Sequence, residues 1–213
     1  MHFTIQREAL LKPLHMVMGA VERRQTLPIL SNVRLEVGGG FLLITGTDLE
    51  IELNAKIPLT SVQQEGLVTI PARKFMDICR NFSENQTLEL SLDESRVHIK
   101  SGRSKYVLNT MSVYEFPRLE TDLQAVSFLL PSNILRDLVD QTAFSMAQQD
   151  VRYYLNGLLF DCRQGLLRAV ATDGHRLATT VIEVPNNLDG SFQIIVPRKA
   201  VYELNKIFAD EVG

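Results

Sequence analysis

Thr69-Ile70-Pro71-Ala72-Arg73-Lys74 is answered by Ile195-Val196-Pro197-Arg198-Lys199, 125 to 126 residues later, and this echo decides the fold. Working outward from it, Gly46-Thr47-Asp48 returns as Ala171-Thr172-Asp173 at an offset of 125. Phe3-Thr4-Ile5, ahead of a helical pattern, returns as Phe128-Leu129-Leu130 at the same offset. Three matches in one order at one offset make an internal repeat. A half-period is also present, because Thr4-Ile5 precedes one helical pattern as Thr69-Ile70 precedes the next, 65 residues on.

Each half-unit therefore reads as a strand, a helix and a meander of strands. Residues 7–21 carry Leu10, Leu11, Leu14 and Val17 at helical spacing, and residues 133–144 carry Ile134, Leu135, Leu138 and Val139. Alternation predicts strands at 32–37, 41–47 and 50–57, with Gly38-Gly39-Gly40 as a turn. The second meander is expected at 87–92, 96–101 and 104–109, turning at Asp93-Glu94 and Gly102-Arg103. The fold class is α+β, with repeated domains built from duplicated strand–helix–meander units. Domain 1 is expected over 1–124 and domain 2 over 125–213. A second domain of about 125 residues would run past Gly213, so its closing strands are expected to be missing. The apolar face of Val201, Leu204 and Ile207 would then need another cover or be poorly ordered.

Composition agrees with a globular chain: 45% hydrophobic and 22% charged residues. No run approaches the roughly 18 apolar residues of a membrane span. Met1-His2-Phe3-Thr4-Ile5 alternates like a strand instead of opening a signal peptide, so a cytoplasmic location is expected. Cys79 and Cys162 sit alone in apolar stretches and read as core residues. No metal-ligand spacing or cofactor motif is present, and His2, His15 and His98 read as surface or internally satisfied histidines. The net charge of −3 weighs against nucleic acid unless basic groups gather on one face.

A longer set of motifs resembles one family. These are Leu27-Pro28-Ile29-Leu30, Gly46-Thr47-Asp48-Leu49-Glu50, Ile70-Pro71-Ala72-Arg73-Lys74 and Ser101-Gly102-Arg103-Ser104. The densest are Phe144-Ser145-Met146-Ala147 through Asp150-Val151-Arg152-Tyr153-Tyr154-Leu155-Asn156-Gly157, followed by Ala171-Thr172-Asp173-Gly174-His175-Arg176-Leu177-Ala178. Together they resemble the bacterial sliding DNA clamps, the beta subunits of DNA polymerase III, over the whole chain. The resemblance implies a clamp fold with helices inside, sheets outside and three domains per chain, of which domain 3 is absent here. It implies a head-to-tail homodimer ring around double-stranded DNA, bound without regard to sequence. The implied partners are the DNA polymerase III core, the clamp loader, and other polymerases and repair proteins carrying short linear motifs. The implied role is non-catalytic processivity in DNA replication, with no cofactor.

The same resemblance implies three groups of site residues. Arg24, Arg73, Arg80, Arg198 and Lys199, with Gln149, Tyr153 and Tyr154, would meet DNA. A sliding protein needs exchangeable phosphate contacts and no base readout. Glu8, Asp77 and Asp137 share these helices, so any one charge also reads as a solvated helix face. Leu155, Thr172, Gly174, His175, Arg176 and Leu177 would form part of a pocket for partner peptides. Read without the family, Asp173, His175 and Arg176 suggest acid–base chemistry, but Asp173-Gly174 between two strands is itself a turn signal. Lys74, Arg96, Arg103, Lys105, Tyr106 and Leu108 would form a dimer edge, or else a basic hairpin kept soluble by its charges. An enzyme and an open, non-encircling DNA-binding module remain the alternatives.

Overall fold

The computed structural model describes residues 1–21, 27–119, 128–184 and 191–210. The chain divides into two compact units, Met1–Glu120 and Thr121–Gly213.

In the first unit, β1 (His2–Gln6) runs into α1 (Arg7–Val17), followed by β2 (Asn32–Gly38), β3 (Phe41–Thr47) and β4 (Glu52–Pro58). A short β5 (Ser61–Gln64) leads to β6 (Gly66–Pro71), α2 (Ala72–Asn81), β7 (Thr87–Asp93), β8 (Arg96–Ser101) and β9 (Ser104–Asn109). The two halves exchange their first strands. β6 opens the second half but pairs antiparallel with β2, giving the sheet β4-β3-β2-β6. β1 opens the first half but pairs with β7, giving β5-β1-β7-β8-β9. Each sheet therefore takes in the first strand of the other half, and the second sheet also takes β5 from the first half. Phe3, Leu10, Leu14, Leu35, Ile44, Ile70, Phe75, Leu88 and Ile99 are fully buried in one core. Each such side chain contributes roughly 1.5–3 kcal/mol by leaving water.

The helices follow their apolar spacing. On α2, Ala72, Phe75, Met76 and Cys79 are buried, an i, i+3, i+4, i+7 stripe that turns Arg73, Asp77 and Arg80 outward. The helix ends against Arg7, whose Nε donates to the Cys79 carbonyl at 3.1 Å and Nη2 to the Arg80 carbonyl at 3.2 Å. A cation on the last carbonyls satisfies otherwise orphaned acceptors and the negative end of the helix dipole. α1 stops at Val17, short of the expected 21. The amides of Gly19, Ala20 and Val21 reach back only three residues, so the chain tightens out of the α-helix. At this point Gly46 approaches so closely that a Cβ would lie 2.8 Å from Val17 Cγ1.

The second unit contains α3 (Ser132–Asp140), β10 (Gly157–Arg163), β11 (Leu166–Thr172), β12 (Leu177–Glu183), β13 (Phe192–Pro197) and α4 (Arg198–Asp210). Its sheet order, β12-β11-β10-β13, repeats that of β4-β3-β2-β6. α3 also stops early, at Asp140 instead of 144. The Thr142 hydroxyl donates to the Leu138 carbonyl at 2.6 Å, and the chain continues as a 3-10 turn over Ala143–Ser145. Phe128-Leu129-Leu130, expected as a strand, is not one. β1 is a strand because β5 and β7 bond its two edges, and among the described residues no strand lies beside 128–130. Of the two outcomes expected for the face of Val201, Leu204 and Ile207, the structure shows a cover at Val201, with Leu204 and Ile207 half-buried. Val201 is buried against Leu138 and Val139, whereas an open apolar groove of about 690 Å³ is lined by Phe128, Leu130, Leu135, Phe160, Phe192 and Ile194. Both cysteines are free and buried.

Candidate functional site

α1 and α2 bound a cleft of about 360 Å³ lined by His15, Met18, Val21, Arg73, Met76, Asp77 and Arg80. Because Phe75 and Met76 anchor α2 to the core, Arg73 and Arg80 are exposed, seven residues apart on the open face. Asp77 lies between them, so the cleft is cationic on balance but not uniformly so. Arg24 lies outside the described residues.

In the second unit a built loop joins the 3-10 turn to β10. Ala147 N donates to the Leu155 carbonyl at 3.0 Å, Asp150 N to Asn156 Oδ1 at 3.0 Å, and Asn156 Nδ2 to the Asp150 carbonyl at 2.8 Å. Asp150 also accepts from Arg152 Nε at 3.0 Å and Nη2 at 2.9 Å. These charge-assisted bonds hold the Asp150 carboxyl down to about 2. The loop presents Gln149, Tyr153 and Tyr154 to solvent, with Tyr153 83% exposed and its ring edge-on to Tyr154 at 5.8 Å. Gln149 has a φ of 57°, the left-handed region that a residue with a Cβ adopts at a cost.

Arg198 and Lys199 begin α4. Both are half-exposed, and the Arg198 guanidinium is engaged. Its Nη1 donates to the carbonyls of Met146 at 2.9 Å and Ala147 at 3.2 Å, and Nη2 donates to the Tyr202 hydroxyl at 2.7 Å.

The turn at 172–177 is a closed hydrogen-bonded unit. Asp173 Oδ1 accepts from the amides of His175 at 2.9 Å and Arg176 at 3.0 Å, while Thr172 Oγ1 donates to the Arg176 carbonyl at 2.7 Å. The two backbone amides, with Arg176, bring the Asp173 carboxyl down to about 2. Asp173 is thus taken up by the turn itself, the role that the Asp-Gly turn signal predicts for it. The same turn recurs in the first unit. Asp48 Oδ1 accepts from Glu50 and Ile51 at 3.0 and 2.9 Å, and Thr47 Oγ1 donates to the Ile51 carbonyl at 2.8 Å. Leu49 there has φ 77° where Gly174 has φ 88°.

Leu177 is 64% exposed beside this turn, whereas Leu155, expected as a pocket wall, is buried. Sequence reasoning missed two neighbours. Phe144 is exposed, with the Arg176 guanidinium 5.7 Å above its ring. Arg152 lies against Gly174, where a Cβ would sit 3.0 Å from its Nη2. Phe144 reads as the last apolar residue of a helix, so nothing in its spacing signalled exposure.

At the expected edge, β9 pairs only with β8 among the described strands. Lys74, Arg96, Arg103 and Lys105 are exposed, and Tyr106 is partly so, its ring edge-on to Phe82 at 5.5 Å. Leu108, expected as an outward apolar contact, faces inward and is buried in the first core. Tyr106 and Leu108 share a face, and the ladder turns that face toward Phe82 and the core. His2 pairs with Glu89 at 2.9 Å, but the buried Nδ1 of His98 has no hydrogen-bond partner among the described residues.

The family model of the DNA polymerase III beta subunit, N-terminal domain, matches residues 1–120, and that of its central domain matches residues 129–213. The Beta sliding clamp of Pseudomonas putida is 48% identical over 213 residues, covering 100% of this chain and 58% of the relative. That of Escherichia coli K12 is 47% identical over 207 residues, covering 97% and 56%. The solved DNA polymerase III subunit beta from Pseudomonas aeruginosa superposes with a TM-score of 0.95 at 47% identity, covering 100% of this chain and 58% of that one. The sliding clamp of Bacillus subtilis gives 0.92 at 29% identity, covering 97% and 56%. The chain thus spans about 58% of the length of the curated relatives it matches.

Proposed function

Since the chain belongs to the DNA polymerase III beta subunit family, we propose that it forms domain 1 (1–124) and part of domain 2 (125–213) of a sliding clamp. The whole protein would close as a homodimer ring around duplex DNA in the cytoplasm and tether the replicative polymerase. It would act without catalysis. Processivity would come from topology, because a closed ring leaves DNA only by opening or by reaching an end, and weak phosphate contacts then suffice.

The observation that carries this reading is α2, whose buried stripe holds it to the core of the first unit while Arg73 and Arg80 face outward. Arg73 and Arg80 flank one cleft, and the loop holding Gln149, Tyr153 and Tyr154 offers polar and aromatic contacts in the second unit. With Lys199 and Arg24 they would meet the DNA backbone. Thr172, Gly174, His175, Arg176 and Leu177, over buried Leu155, would take short linear motifs from the polymerase III core, the clamp loader and repair proteins. Lys74, Arg96, Arg103, Lys105 and Tyr106 would face a partner subunit along β9.

The deciding experiment is topological. The full-length protein, once loaded, should stay on nicked circular DNA and be lost after linearisation; equal retention on both would refute encirclement. In the same protein, Leu177→Lys should abolish binding of a polymerase-derived peptide while leaving ring assembly intact. The 213-residue chain by itself should bind linear duplex weakly, and submicromolar affinity at physiological salt would overturn that expectation.

A further inference from the structure

Arg73 and Arg198 occupy equivalent repeat positions, yet their surroundings differ. Arg73 lines an open cleft and has Asp77 four residues on, whereas Arg198 has Tyr202 at that place. We propose that Arg198 is a positioning residue, which sets the loop of Gln149, Tyr153 and Tyr154 without itself contacting phosphate. The proposal rests on the reading that this loop meets duplex DNA.

The geometry ties both ends of the loop to one residue. At the entry, Arg198 Nη1 donates to the Met146 and Ala147 carbonyls at 2.9 and 3.2 Å. At the exit, the Arg198 backbone amide donates to the Asn156 carbonyl at 3.0 Å. Tyr202, one helical turn along α4, fixes the guanidinium from the other side. Its hydroxyl accepts from Nη2 at 2.7 Å, and its ring centroid lies 5.0 Å from the guanidinium carbon. Between the tied ends the chain has little freedom, because Asp150 and Asn156 bond each other in both directions.

That closure explains how Gln149 keeps a φ of 57°. A left-handed residue with a side chain persists only where its surroundings over-determine it. A planar fork suits the task. It reaches two carbonyls and a hydroxyl at once and stacks on an aromatic ring, which a lysine ammonium does not reproduce. A guanidinium so engaged has few donors left for a phosphate, so its contribution to binding passes through the loop.

The test uses the 213-residue chain, a fluorescently labelled linear duplex titrated over a salt series, and hydrogen exchange of the loop amides. Arg198→Met should accelerate exchange across 147–156 by about tenfold or more. It should also weaken duplex binding about as much as Gln149→Ala and Tyr153→Ala combined. The slope of log affinity against log salt should stay unchanged, because no phosphate contact is lost. Arg198→Lys should fail to rescue either quantity. Tyr202→Phe, a milder change that keeps the ring, should give an intermediate acceleration and covers the case in which Arg198→Met fails to fold.

Unchanged loop exchange in Arg198→Met and Tyr202→Phe would overturn the proposal. So would rescue by Arg198→Lys together with a salt slope reduced by about 0.9 in Arg198→Met, the mark of a phosphate contact. If Gln149→Ala and Tyr153→Ala leave affinity untouched while Arg198→Met still frees the loop, the anchoring stands and the DNA reading of the loop falls.

Discussion

Leu49 and Gly174 sit at the same place in two copies of one turn, both with positive φ, but only one of them is glycine. Leu49 is 49% exposed, so its side chain recovers little by burial. A left-handed conformation costs a residue with a Cβ roughly 1–2 kcal/mol. Leu49→Asn should therefore stabilise the first unit by about 0.5–1 kcal/mol, since asparagine tolerates that region. Gly174→Ala should destabilise the second unit by about 1 kcal/mol. Denaturant midpoints measured for both variants would check the opposite signs. Asp150 and Asp173 set a pH window in the same loops. Both carboxyls are held near 2, below their ordinary 3.8. Between those values the unfolded chain binds more protons than the folded one. Their stabilisation is therefore complete above about pH 4 and lost as pH falls through about 2. The amide resonances of Arg152, His175 and Arg176 should hold steady to about pH 3 and titrate below it. Burial pushes the Cys79 thiol up to about 12, against a smaller opposing effect of Arg7, and also raises Cys162. Iodoacetamide at pH 8 should accordingly leave Cys79 unmodified until the chain is unfolded.

At the scale of elements, α2 shows how one helix serves core and surface together. Its buried stripe holds it in place and its open stripe carries Arg73 and Arg80. If these are phosphate contacts, Arg73→Met and Arg80→Met should each lower the salt slope of duplex binding by about 0.9, unlike Arg198→Met. A fluorescence titration at several salt concentrations reads the difference directly. β9 is the complementary case. Its alternation was legible, but which of its faces turned inward was not. The spacing of Tyr106 and Leu108 is satisfied by either face, and only the ladder to β8 and the ring of Phe82 decided it.

At the scale of the whole molecule, the two units differ in how completely their apolar faces are covered. The first pairs β6 and β1 into its two sheets, with Ile70 and Phe3 fully inside its core. The second leaves Ile194 50% exposed on β13, beside the open groove at Phe128 and Phe192. Uncovered apolar surface contributes nothing to stability, so the second unit should open first. Hydrogen exchange should show amides of β10–β13 exchanging at lower denaturant than those of β1, β7 and β8. Simultaneous exchange of both sets would contradict this.

The duplicated plan followed from the sequence alone, because a repeat at one offset and apolar residues at periods of 2 and 3.6 are local properties. So were the strands at 41–47, 96–101 and 104–109 and the turn at Asp173-Gly174, each written in a few adjacent residues. The tertiary structure decided what depends on a neighbour distant in the chain. The first strands of the two halves crossed into each other's sheets, residues 128–130 found no strand partner among the described residues, and Leu155 and Leu108 turned inward while Phe144 turned out. Arg73 and Arg198 occupy one repeat position, yet one lines a cleft and the other grips two carbonyls. A side chain's chemistry comes with its identity, but its available donors depend on which acceptors the fold brings within 3 Å or so.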